Sequence, residues 1–150
     1  MNNEVIRQFF KNYALIREQG FDTFIREQAK LFSPELITLV SDTRGNFTYQ
    51  GIDGFFEGQV AWSKHFFVNG RSIHEYVEET STHVLVRMHG DLKLLEPING
   101  ETLSKVGHHD WTQEFELSND FITKVDIKLS FTLTAAGGTS LPLRGSKFGI

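Results

Sequence analysis

The chain has 150 residues, no cysteine and a formal net charge of -4, a length that suits one domain with a sizeable core. The lack of thiols removes disulfides, thiolate nucleophiles and cysteine metal sites, and it agrees with a reducing, cytoplasmic setting. An acidic balance without a basic cluster argues against nucleic acid, and 39% hydrophobic content without a membrane-length apolar run argues against a bilayer span.

In chain order, Ile6, Phe9, Phe10, Tyr13 and Ile16 recur every three or four residues, which predicts a helix over roughly residues 3–18 with Tyr13 on its buried face. Gly20 ends it. Asp22 is the expected cap of a second helix, in which Phe24, Ile25, Gln28 and Phe32 keep the period until Pro34. LITLVSD, residues 36–42, is short and β-branched and reads as a strand ending at Asp42. After a turn around Arg44-Gly45-Asn46, the segment YQGIDGFFEGQVAWSKHFF sets Ile52, Phe55, Phe56, Val60 and Phe66 or Phe67 at helical spacing. Gly51, Gly54 and Gly58 are expected to weaken the first turns of this third helix.

From residue 71 the period becomes two, and SIHEYVEE, HVLVRMHGDLKLL, HHDWTQEFEL and FITKVDIKLSFTL predict an antiparallel meander. The expected fold is α+β, with three N-terminal helices packed on a strongly curved antiparallel sheet. Residues 1–134 form the single domain, and the glycine-rich residues 135–150 an extended or flexible tail. Alternation puts Val84, Val86 and Met88 on one face of their strand. It groups His109, Trp111, Gln113, Phe115 and Leu117 against Asp110, Glu114 and Glu116, and Phe121, Thr123, Val125, Ile127 and Leu129 against Lys124, Asp126 and Lys128. His74 and Tyr76 oppose Ile73 and Val77, and alternation does not decide which pair lies inside.

His109 and Gln113 thus fall on an apolar face, where a polar group without a partner costs about 1–3 kcal/mol. Each needs an internal hydrogen bond or a ligand. His108 and His109 point to opposite sides of one strand, so they cannot chelate one ion together, and no histidine pair has the spacing of a zinc helix. No metal is expected, and no glycine loop of the phosphate-cradling kind is present.

The order of elements across residues 3–133 resembles the nuclear transport factor 2 superfamily. FFKNYALIREQGFDTFIREQAKLFSPELITLVSD with YQGIDGFF is similar to the front half of the SnoaL-like cyclases and ketosteroid isomerases, and HHDWTQEFELSNDFITKVDI resembles their closing hairpin. The resemblance implies an open cone with an apolar pocket, a homodimer formed through the sheet, a small apolar ligand and no cofactor. By position it implies Tyr13 as oxyanion donor and Asp42 as general base, chemistry for which ketosteroid isomerase is a standard example. In a dehydratase-like variant His109 carries proton work. Gln113, Trp111, Phe55 and Trp62 would bind the ligand. The sequence departs from the isomerase pattern after Asp42, where Thr43-Arg44 stands in place of proline, and near Trp111, where only Asp110 on the wrong face answers to the second aspartate. The alternative is a noncatalytic binding or docking module of the same fold.

Overall fold

The computed structural model describes residues 2–42, 45–64, 66–94, 103–105, 107–129, 132–135 and 140–142, with side chains described at 2–42, 45–64, 72–90 and 110–129. The first apolar period folds as two helices, α1 (Glu4–Lys11) and α2 (Ala14–Gln19). The cause lies in a third helix, α3 (Phe21–Ala29). Its Gln28, fully buried, donates from Nε2 to the Phe9 carbonyl at 3.0 Å and accepts from Asn12 Nδ2 at 2.8 Å. The Tyr13 amide pairs with the Phe10 carbonyl instead of that of Phe9, tightening the turn. Gly20, at a φ of 97°, separates α2 from α3 and precedes the first helical residue, so Gly20 and not Asp22 holds the cap position.

Strand β1 (Phe32–Asp42) begins earlier than expected and contains Pro34. Its register slips between Phe32 and Ile37, so Pro34, which has no amide to donate, sits in the unpaired stretch. β2 (Gly45–Gln50), absent from the sequence reading, pairs with β1 as a hairpin. Helix α4 (Gly51–Ser63) then starts at the first glycine. A β-carbon at Gly58 would lie 2.9 Å from the Tyr49 ring and one at Gly54 3.2 Å from Tyr49 Cβ, so these glycines seat a tyrosine of β2 flat on the helix. Phe66 and Phe67 open strand β3 (Phe66–Glu79) and do not extend the helix.

β4 (His83–Leu94), β6 (Gly107–Ser118) and β7 (Phe121–Leu129) follow, with short strands β5 (Leu103–Lys105), β8 (Thr132–Ala135) and β9 (Ser140–Pro142) in a second sheet. The main sheet has the order β2-β1-β7-β6-β4-β3 and curls without closing. It is mixed, because β1 lies parallel to β7; the other pairings are antiparallel as expected. The tail expected at 135–150 lies outside the described residues except at its start and at β9.

The inner face of the sheet packs on α1 and α4. Phe9 is the hub, its ring meeting those of Phe10, Tyr13, Phe32, Phe55 and Phe115 at 5.1–6.2 Å. A second tie joins α1 to the end of β3: Arg7 pairs with Glu79 at 2.8 Å, lies 3.4 Å over the Tyr76 ring, and Glu79 also accepts the Asn3 amide.

Candidate functional site: an apolar cavity between the sheet and helix α4

Cross-strand register arranges the inner face in rows. Thr38, Val125, Phe115 and Val84 form one, Val40, Ile127, Gln113, Val86 and Tyr76 the next, and Leu129, Trp111, Met88 and His74 a third. Gln113 therefore occupies the centre of the face, between two apolar neighbours. Above these rows stand Phe10 and Tyr13 from the first helices and Phe55, Gln59 and Trp62 from α4, and a cavity of about 590 Å³ remains between the layers. That volume lies within the range typical of small-molecule sites.

The wall is mostly hydrocarbon and aromatic, with a few polar atoms. Tyr13 Oη donates to Gln59 Oε1 at 2.6 Å, and burial pushes its phenol above the ordinary range, so it stays protonated as a donor. Thr38 is 2% and Gln113 9% exposed, yet neither Thr38 Oγ1 nor Gln113 Oε1 makes a hydrogen bond to any of the described residues. His74 Nε2 lies 3.0 Å from Ser72 Oγ, its ring packs 4.5 Å from that of Phe10, and burial holds the imidazole below its usual proton affinity. Both His74 and Ser72 line the cavity.

Of the residues singled out in the sequence, Tyr13, Gln113, Trp111, Phe55 and Trp62 meet on this wall. Asp42 does not. It is fully buried on the same face of β1 as Thr38 and Val40, one alternation further along and off the cavity wall, and it is engaged where it lies. His109 pairs through its backbone opposite Gly90 in β4, and its side chain lies outside the described residues. Thr38, Gln59, Ser72 and His74 were missed. For His74 the signal was present as an undecided alternation. The structure turns His74 and Tyr76 inward and leaves Ile73 66% and Val77 47% exposed. Among the described residues, no group of three or more His, Cys, Asp or Glu side chains is placed to hold a metal ion. Nor is any described helix long and apolar enough to cross a membrane.

An open curled sheet with helices over a central cavity is matched widely among solved structures. A nuclear transport factor 2-like protein of unknown function from Burkholderia pseudomallei superposes with a TM-score of 0.60 at 10% identity, covering 87% of this chain and 92% of that one. The fold is nuclear transport factor 2-like. A SnoaL-like polyketide cyclase candidate from Mesorhizobium loti shares this nuclear transport factor 2-like arrangement at a TM-score of 0.58 and 13% identity, over 83% of this chain and 95% of that one. TerC, crystallised with polyporic acid, does so at 0.57 and 14%, over 84% and 91%. No family model matches the sequence, and no curated protein matches it.

Proposed function

We propose that the chain binds a small, largely apolar carbonyl or hydroxylated ring compound in this cavity and acts on it by acid–base chemistry without a cofactor, as an isomerase, cyclase or dehydratase. The observation that carries the reading is a mostly apolar cavity whose wall includes Thr38 and Gln113, each with a buried side-chain oxygen, Thr38 Oγ1 and Gln113 Oε1, that has no hydrogen-bond partner among the described residues. An enclosed oxygen without a partner costs about 1–3 kcal/mol, a cost a ligand's hydroxyl offsets by donating to it. A polyketide cyclase candidate and a complex with polyporic acid among proteins of the same fold are consistent with this ligand class.

In this proposal Tyr13 donates to the substrate oxygen after its hydroxyl swings from Gln59, and the aromatic faces of Trp62, Trp111 and Phe55 hold the ring. Asp42 or His109 is the base inferred from the sequence. Asp42, off the wall, would act through a wall residue. That same position favours a second reading, a noncatalytic ligand-binding module in which the cavity only holds its guest. Pairing of two chains through the sheet belongs to the proposal as well, supported by Ile73 and Val77 on the outer face of the edge strand.

The test is a panel of steroid ketones and hydroxylated aromatic ketones, followed by thermal shift and calorimetry. We expect at least one to raise the melting temperature of the wild type and to bind Gln113→Leu at least about tenfold more weakly, the loss of one hydrogen bond. If the panel binds both proteins equally, Gln113 does not recognise the ligand. Failure of every compound to bind would overturn the reading.

A further inference from the structure

Strand β3 breaks the rule that packing imposes on a half-buried strand. Its apolar residues Ile73 and Val77 face outward, and an imidazole and a phenol, His74 and Tyr76, face the interior. An outward interface for Ile73 and Val77 would account for their exposure but not for histidine inside, where valine would pack at no electrostatic cost. Where a local rule is broken without a packing gain, function is the usual compensation. The backbone is shaped here as well. The register between β3 and β4 slips between Asn69 and Ile73, bringing Ser72 beside Gly90, where an added β-carbon would stand 3.4 Å from both Ser72 Cα and Trp111 Cη2. Such bulges re-aim side chains.

We propose that His74 is the proton-transfer residue of the cavity and Ser72 its positioning residue, acting on a ring compound with an acidic C–H. This rests on the cavity being a ligand site, as proposed above. With the neutral ring as the Nε2–H tautomer, Nε2 donates to the Ser72 hydroxyl both before and after Nδ1 takes a proton, so the 3.0 Å contact persists in either charge state and orients the ring while Nδ1 gains and loses the proton. Next to a carbonyl, the base takes the proton and the C–H electron pair moves to the carbonyl oxygen as an enolate. Return of the proton to another carbon completes an isomerisation, and loss of a β-hydroxyl as water, with that proton, completes a dehydration. Among the described residues, the other titratable groups on the inner face are Tyr76, with Arg7 over its ring and Glu79 beyond, Tyr13, and Asp42, buried further along β1 and off the cavity wall; Glu75 and His89 lie on the outer face.

The probe is 5-nitrobenzisoxazole, an apolar ring that opens when a base removes its C3 proton. The C–H pair becomes the third bond of a nitrile, the N–O bond breaks, and a coloured nitrophenolate leaves. Binding is read separately, from quenching of tryptophan fluorescence. We expect the full-length protein to bind the probe and release nitrophenolate with saturation, the rate rising with pH through a midpoint below that of free imidazole. His74→Gln should keep binding and lose about 100-fold or more in kcat. Ser72→Ala should leave KM unchanged, lower kcat and move the midpoint. Should His74→Gln fail to fold, His74→Asn takes its place, and titration of the His74 ring by nuclear magnetic resonance in wild type and Ser72→Ala reads the coupling directly. Binding without turnover above buffer, turnover retained without His74, or a ring titration indifferent to Ser72 overturns the assignment and leaves the cavity reading standing. No binding of this probe or of any compound in the panel overturns both.

Discussion

The two faces of the main sheet use the same residue types to opposite ends. On the inner face, His74 sits among Phe10, Met88 and the cavity, and burial disfavours its charge. On the outer face, His83 lies 2.5 Å from Glu114 and 3.1 Å from Glu78, and His89 lies 2.6 Å from Asp110 and 3.4 Å from Glu75. Glu114 first, then Glu78, raises the proton affinity of His83; Asp110, then Glu75, does the same for His89. The two sides of the sheet separate an imidazole whose charge burial disfavours from two whose charge neighbouring carboxylates favour. The proton affinity of a histidine is thus set by which side of the pleat it occupies.

The contrast can be tested by unequal damage. Phe115→Ala, in the middle of the inner face, should lose about 3–5 kcal/mol in urea unfolding, because a fully buried ring leaves a hole that Phe9 and Val125 cannot fill. Gly58→Ala puts a methyl where the Tyr49 ring now lies and should cost about 1–3 kcal/mol although alanine favours helix; Tyr49→Ala in the same chain should recover part of the loss. Gln113→Leu should move the other way, gaining about 1–2 kcal/mol by removing an orphaned amide oxygen while weakening ligand binding, and equal stability would mean that oxygen is already satisfied.

The smallest effect is a pH slope. The raised proton affinity of His83 contributes stability that is complete below the unfolded pKa of about 6.5 and fades as pH rises through the folded value. His74, held low, does the reverse: its cost appears as pH falls below about 6.5, where the unfolded chain takes up the proton first. Glu114→Gln should flatten the first dependence by less than about 1 kcal/mol, as suits a partly exposed pair. His74→Gln should remove the second. Melting temperatures between pH 5 and 8 separate the two signs.

Much of the inner face was legible because strand alternation is rigid. Trp111, Gln113, Phe115 and Leu117 are buried together as their parity requires, and so are Val84, Val86 and Met88. Where the register slips, between Glu116 and Leu117 on β6, parity fails on β7: Ile122 turns inside and Phe121 is exposed, opposite to the strict alternation. The division between α1 and α2 was not legible, since its cause is a side chain 19 residues from the carbonyl it captures. Parallel pairing of β1 with β7 leaves no mark in either strand's period. The glycines of α4 read as weakness when their partner, Tyr49, was unknown. In the site, the aromatic wall followed from composition and fold resemblance. His74 was lost because its neighbours' hydrophobicity points the wrong way.

The buried Gln28 amide makes the cavity editable from a distance. By drawing the Phe9 carbonyl to itself, it diverts the Tyr13 amide to Phe10 and so adjusts the angular phase at which the phenol emerges from the helix. No ligand in the cavity would touch Gln28, which is absent from its wall. A change there would re-aim a wall hydroxyl as a key is re-cut at the shoulder and not at the teeth. Libraries meant to alter what this cavity accepts should therefore vary position 28 alongside the residues that line it.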